Sequence, residues 1–272
     1  MKKLIAAVAF LLSTMVGRAD DAVRPVSSTW AFEVGAAQLA DTYLTPLKYN
    51  GLHLGIGYQR AQAMRFCPEK WTNALRFRML FDRARNHAGN SVMYSAGINV
   101  GWSMLHGWRL PHGISLRVGG AADADLGALL LARNSNNPAQ ARASVTIGPE
   151  VSAYWSRKVW GVGLTMRSPL IGAFFSPDYG ELYYEISLGN HKKLVHCAWP
   201  GSFRRLTADL FVDVRPAATA VRIGYRADWL SFSANGLTGR SLTHSAVIAV
   251  NCDFLSVNPH KNNEAKIITA AY

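Results

Sequence analysis

SVMYSAGINVGWSML, residues 91–105, sorts its side chains by parity. Val92, Tyr94, Ala96, Ile98, Val100, Trp102 and Met104 are apolar, while Ser95, Gly97, Asn99, Gly101 and Ser103 are small or polar. A helix would mix the two sets on each face; a strand sends alternate side chains to opposite faces and keeps them apart. The alternation runs for about fourteen residues, beyond the roughly five to six of an ordinary soluble strand. It is enough for a tilted bilayer crossing, which takes about nine to eleven. Tyr94 near one end and Trp102 near the other stand where membrane interfaces favour aromatics. The stretch reads as one stave of a membrane barrel.

Working outward from it, the same alternation predicts strands at 30–36, 51–60, 75–82, 114–119, 141–155, 160–167, 181–188, 193–199, 205–213, 221–229 and 246–254. Pro149 inside 141–155 marks a bulge or bend, and Asn235-Gly236 is a hairpin turn signal. The expected fold is all-β: a transmembrane antiparallel up-and-down barrel of about twelve strands, an even number that returns the chain to its starting side. Longer connections at 41–50, 83–90, 124–140, 168–180 and 235–240 fall in phase on one side, with shorter turns on the other. In membrane barrels the longer set faces outward.

A soluble sandwich also alternates, so the second parity has to decide. It carries small residues with Arg, Asp and Glu, as a crowded lumen requires, rather than the Lys, Glu and Thr of a face in bulk water. Trp30, Trp102, Trp155, Trp160 and Trp229, with Tyr94, fall near strand ends and are the expected membrane-interface aromatics.

The chain has 272 residues, 49% hydrophobic, yet its only long apolar run is at the start. Lys2 and Lys3 precede an apolar core from Leu4 to about Val16, and Gly17 and Ala19 follow: the layout of an export signal, too short for a spanning helix. The expected organisation is a signal peptide at 1–19, a periplasmic leader at 20–27, the barrel at 28–255 and a polar tail at 256–272. The net charge of +12 becomes +9 when Lys2, Lys3 and Arg18 leave with the signal. In an exported chain this suits lipopolysaccharide or phospholipid headgroups, or dispersed solubilising charge, rather than nucleic acid. Cys67, Cys197 and Cys252 are too few for a disulfide framework, leaving one bridge at most.

Four further segments carry a resemblance: TYLTPLKYNG (42–51), NNPAQARAS (136–144), FSPDYGELYYEISLGN (175–190) and NGLTGRSLTHS (235–245). Together they resemble an uncharacterised family of outer-membrane β-barrel proteins from Bacteroides-like bacteria, the domain of unknown function numbered 3316. The likeness covers most of the chain after the signal. It implies an outer-membrane location and brings no activity or catalytic residues; the partners expected of such a barrel are outer-membrane lipid and lipopolysaccharide, the barrel-assembly machinery and a small solute.

Lipid hydrolases of the outer membrane place His-x-Ser on a strand, where residues two apart share a face. No His-x-Ser or Ser-x-His occurs here, and His244-Ser245, being adjacent, point to opposite faces. No catalytic residues, metal ligands or cofactor are expected; the His residues lack ligand spacing, and Gly55-Ile56-Gly57 lacks a phosphate-loop setting. What remains is an inward ladder: Glu33, Glu150, Glu181, Glu185, Asp209, Asp213 and Asp228 with Arg76, Arg78, Arg117, Arg167, Arg222 and Arg226. Such charges must pair in a low-dielectric interior. The expected function is a narrow pore or small-solute conduit, its Arg222 and Arg226 selecting anions. The alternatives are a closed structural or docking barrel that binds a partner or lipopolysaccharide through its outer loops and, behind it, a lipid-modifying enzyme.

Overall fold

The computed structural model describes residues 24–135, 137–215 and 219–256. The expected signal peptide, the leader up to residue 23 and the tail from residue 257 lie outside them. Twelve strands form one antiparallel sheet: β1 (Arg24–Asp41), β2 (Thr45–Ala63), β3 (Trp71–Asn86), β4 (Val92–Leu110), β5 (Ile114–Leu130), β6 (Ala139–Arg157), β7 (Trp160–Arg167), β8 (Ile171–Phe175), β9 (Val195–Ala198), β10 (Phe203–Val214), β11 (Thr219–Ala234) and β12 (Leu237–Ser256). β1 through β7 pair in sequence order, β7 pairs with β10, and β10 through β12 continue the round. β12 then meets β1 in one unbroken register from Arg24↔Ser256 to Asp41↔Gly239, which closes the cylinder. Closure gives every stave of the cylinder a partner on each side, so that β9, outside it, is the edge strand among the described residues.

The closed barrel has ten staves, not twelve, because β8 and β9 stand outside it. Two expectations fail in the excursion of residues 168–202. Residues 181–188, which alternate like a strand, contain the helix α1 (Tyr183–Ser187). The Leu182 N–H donates a long 3.5 Å hydrogen bond to the Glu185 carboxylate, and Gly189 takes a φ of 84° where the helix ends. The expected strand at 193–199 is β9, only four residues long and paired with β8 alone. β8 continues the line of β7 along β6 beyond a bend: Gly148-Pro149 on β6 faces the three residues 168–170, so the register slips by one there.

Several strands outrun their expected ends. β1 starts at Arg24, inside the expected leader, and β5 runs on to Leu130, so the expected loop at 124–140 shrinks to 131–138. The expected loop at 41–50 shrinks to 42–44, with Pro46 in a bulge between the pairs Asp41↔Thr45 and Ala40↔Lys48. Asn235 and Gly236 turn with φ of 51° and 71°, the mirror-image geometry that favours this dipeptide. The loop connections gather at one end of the barrel; the turns and both described termini gather at the other.

The outward face is an apolar band with polar borders. On β2 the outward run Leu52, Leu54, Ile56, Tyr58 is bounded by Asn50 and Arg60; on β3 Leu75, Phe77, Met79, Phe81 is bounded by Asn73 and Arg83. Each run takes about 23 Å of strand at roughly 3.3 Å per residue, or about 18 Å of height at the roughly 40° tilt usual in membrane barrels. Trp30, which packs at a tilt against Tyr58 with centroids 4.6 Å apart, lies with Trp102, Trp155 and Trp160 toward the turn end. Tyr94, opposite Arg83, and Trp229, opposite Leu206 and Leu242, lie toward the loop end. All six aromatics point outward, between 38% and 62% exposed.

Candidate functional site

The second parity points inward and carries the polar residues. Glu33 on β1 is 0% exposed and Arg78 on β3 is 3% exposed. They form a forked pair, Nε to Oε1 at 3.0 Å and Nη2 to Oε2 at 2.9 Å. Arg226 from β11 donates to the same Glu33 and to Asp209 on β10. The other arm of Arg78 reaches Asp228 at 3.4 Å, and Asp228 accepts from Arg205 at 2.7 and 2.9 Å. Arg205 crosses the lumen to Asp125 on β5, both contacts at 2.9 Å. Asn99 bridges Asp125 and Asp123, Asp123 lies 4.0 Å from Arg76, and Arg76 donates to Glu150 at 2.8 Å. His53 closes the other flank, 2.6 Å from Asp82 and 3.8 Å from Glu33.

This is one network drawn from eight staves, and small residues make room for it. A Cβ on Gly55 would press within 3.2 Å of the Glu33 carboxyl carbon. One on Gly101 would fall 2.6 Å from the Asp123 carboxylate and 3.0 Å from Arg76 Nε. Gly55 and Gly101 are thus sites of close approach by long charged side chains.

The network divides the lumen. A chamber of about 120 Å³ on the loop side is walled by Phe174, Phe203, Leu230 and Phe232, with Asp125, Asp228 and Arg205 at its floor. A chamber of about 110 Å³ on the turn side is lined by Arg76, Arg117, Arg167, Arg222 and Arg226 against Glu150 and Asp209. Glu33 and Arg78 line neither chamber: they are the septum between them. Near the turn end Arg222 is held by Asp213 at 2.7 and 2.9 Å and lies 3.6 Å over the Phe211 ring. Arg167 is buried without a carboxylate at ion-pair distance among the described residues.

Above the first chamber the inward parity turns apolar. Leu39, Tyr43, Leu44, Tyr49, Met93, Leu129, Leu131 and Leu237 form a buried cluster against which Tyr183 of α1 packs. Tyr43 donates to the Glu181 carbonyl at 2.7 Å; Tyr183 donates to Gln140 at 3.3 Å and accepts from the Ala141 N–H at 2.7 Å. Burial, with neighbouring Tyr183, Glu181 and Asp41, pushes the Tyr43 phenol up to about 12. The part of the excursion around α1 therefore lies as a cap over the loop-end mouth.

Of the ladder residues expected from sequence, Glu33, Arg76, Arg78, Arg117, Glu150, Arg167, Asp209, Asp213, Arg222, Arg226 and Asp228 face the lumen. Glu181 and Glu185 do not: they belong to the excursion, where Glu181 accepts from the backbone N–H groups of Asp178 and Lys192 and Glu185 accepts from that of Leu182. Arg222 and Arg226, expected to select anions, are both tied to carboxylates. His53, Asn99, Asp123 and Asp125 join the network without having been singled out. Asp123 and Asp125 share the parity of Ser115 and Arg117, a signal hidden only by placing the strand end too early. His244 is exposed and Ser245 is 3% exposed, on opposite faces of β12. Cys67, Cys197 and Cys252 are free thiols.

A family model described as "Protein of unknown function (DUF3316)" matches residues 4–261. No curated protein matches the sequence. Among solved structures, the outer membrane protease OmpT from Escherichia coli superposes with a TM-score of 0.54 at 6% identity, covering 88% of this chain and 100% of that one. The translocator domain of the autotransporter NalP from Neisseria meningitidis gives 0.39 at 10% identity over 93% and 96%. Neisserial surface protein A gives 0.34 at 11% identity over 85% and 97%. The OmpT likeness is one of fold.

Proposed function

The chain belongs to the DUF3316 family of proteins of unknown function, and for this member we propose an outer-membrane β-barrel whose lumen is a small-solute passage held shut at mid-height. The outward band, its aromatic borders and the barrel fold support the outer-membrane setting, with outer-membrane lipid and the barrel-assembly machinery as partners. The observation that carries the closed passage is the septum: chambers on both sides, an apolar-walled one with a charged floor and a polar one, of a forked Glu33–Arg78 pair that is itself 0% and 3% exposed. In a narrow low-dielectric channel, charged side chains fix which ions pass, and a paired belt passes none until it parts.

Planar-bilayer conductance of the refolded chain tests it. The wild type is expected to be silent or to open rarely, and Glu33→Gln to raise the open fraction. Steady wild-type conductance unaltered by Glu33→Gln overturns the septum; silence in both overturns the passage.

A second reading, the docking barrel, is favoured by the excursion, where Tyr179, Tyr184 and Leu188 are 74%, 71% and 61% exposed. Exposed aromatics on a loop built over a closed mouth suit contact with another macromolecule. Deletion of 178–190 would then abolish pull-down of that partner and leave conductance unchanged.

A further inference from the structure

Among the described residues, the outward-facing cations of the loop-end border gather on β2, β3 and β12, with Arg204 of β10 in the same row two strands beyond Arg240. Lys48 on β2, Arg83 and Arg85 on β3 and Arg240 on β12 are all exposed and outward-facing, immediately beyond the loop-end border of the apolar band. The ladder makes them neighbours. Arg240 and Lys48 flank Ala40 of β1 in the same row, Arg85 sits opposite Asn50, and Arg83 sits between Leu52 and Tyr94. With strands about 4.8 Å apart, the four cations cover a strip four strands wide. None has a carboxylate at ion-pair distance among the described residues.

The corresponding stretch of β5 and β6 is uncharged. There the outward pairs are Leu126↔Ala143, Ala128↔Ala141 and Leu130↔Ala139. A general need for charge at the band border would have put cations on β5 and β6 as well.

We propose that this patch is a binding site for a phosphorylated glycolipid of the outer leaflet. The inference rests on the outer-membrane reading above. The geometry selects the occupant: a molecule that meets both the apolar run Leu52–Leu54–Ile56 and the cations directly beyond it stands in the membrane with its acyl chains on the wall and its phosphates at the border. Guanidinium groups take phosphate oxygens in forked geometry, and a cluster of three arginines and a lysine suits more than one phosphate. Tyr94, beside Arg83, offers a ring face at headgroup level for a sugar.

Native mass spectrometry of the refolded barrel in detergent micelles tests it, with bis-phosphorylated lipid A, dephosphorylated lipid A and phosphatidylglycerol as probes. Heat-modifiable migration is read first, before any lipid is added. A chain that forms no barrel in micelles overturns the membrane reading and this inference with it. A folded barrel is expected to retain bis-phosphorylated lipid A selectively, and the quadruple variant Lys48→Gln, Arg83→Gln, Arg85→Gln, Arg240→Gln to lose roughly a hundredfold in affinity. Arg60→Gln, at the other border of the same strand, is expected to bind as the wild type does. Equal retention of dephosphorylated lipid A, or unchanged affinity in the quadruple variant, overturns the site while leaving the barrel reading intact. Equal, patch-dependent retention of phosphatidylglycerol overturns the glycolipid assignment in favour of a general anionic-lipid surface.

Discussion

The wall of this barrel takes all ten staves and the septum network eight of the same ones, residue by residue in alternation, and the two obey opposite rules. On the wall, Ile56, Met79 and Ile98 are 55%, 52% and 40% exposed and contribute by being apolar, whatever their neighbours. In the septum, Glu33 is held by Arg78 from β3 and Arg226 from β11, so its contribution depends on two particular partners. A wall tolerates exchange of like for like. A septum of buried charges tolerates almost none, because removing one member strands the others without water or counter-charge.

The sharpest break in that contrast is Glu33→Gln. It leaves Arg78 and Arg226 short of a carboxylate, and the expected loss is about 3–5 kcal/mol in denaturant-unfolding stability. Arg78→Met added on top should recover part of it, because the pair is then removed together. An additive double variant would show that the septum is not a coupled unit.

On the wall the expected effects are smaller and depend on chemistry rather than partnership. Ile56→Arg, near mid-band, should cost about 2–4 kcal/mol in lipid, whereas Ile56→Leu should be close to neutral. If the two cost the same in refolding titrations into lipid vesicles, the band does not face hydrocarbon.

The smallest effect lies in the excursion, outside both wall and septum. The Lys192 ammonium, 2.6 Å from Asp178, holds that carboxyl below the usual carboxylate range. A depressed carboxyl contributes above the free group's titration and stops contributing as pH falls through its own lower one. The tie therefore works from neutral pH into mild acid and is released in strong acid; being exposed, it is weak. Hydrogen exchange of the amides in 176–192 should run faster in Lys192→Met than in the wild type at neutral pH, and equally fast in strong acid. A difference independent of pH would remove Asp178 from the account.

Legibility in the sequence follows the same division. The wall was readable because alternation is a property of each strand alone: Val92, Tyr94, Ala96 and Ile98 need no knowledge of the rest of the chain to declare a face. The inward charges were readable as a set for the same reason. The excursion misled because Leu182, Tyr184, Ile186 and Leu188 alternate too, and local alternation without a neighbouring strand to bond does not make a stave. There the backbone satisfied itself in a helical turn, with the Glu185 and Gly189 signals at its ends. β5 was cut short because Ala121, Ala122, Ala124 and Gly127 are too small to display a parity, although the ladder to β6 runs straight through them. The apolar cap escaped notice because Leu39, Met93 and Leu129 share the parity of the charges and only their height in the barrel separates them.

The sequence alone settled that hydrophobic and polar side chains separate onto two faces of long strands, that Asn235-Gly236 turns the chain back, and that the inner face carries arginines and carboxylates. Tertiary structure alone decided that ten staves close the cylinder, that α1 lies over one mouth, and which carboxylate holds which arginine. The reason is range. Side-chain parity and turn geometry are set within a few residues, whereas Arg226 and Glu33 are 193 positions apart and meet only because β12 pairs with β1 and brings their strands within reach across the lumen.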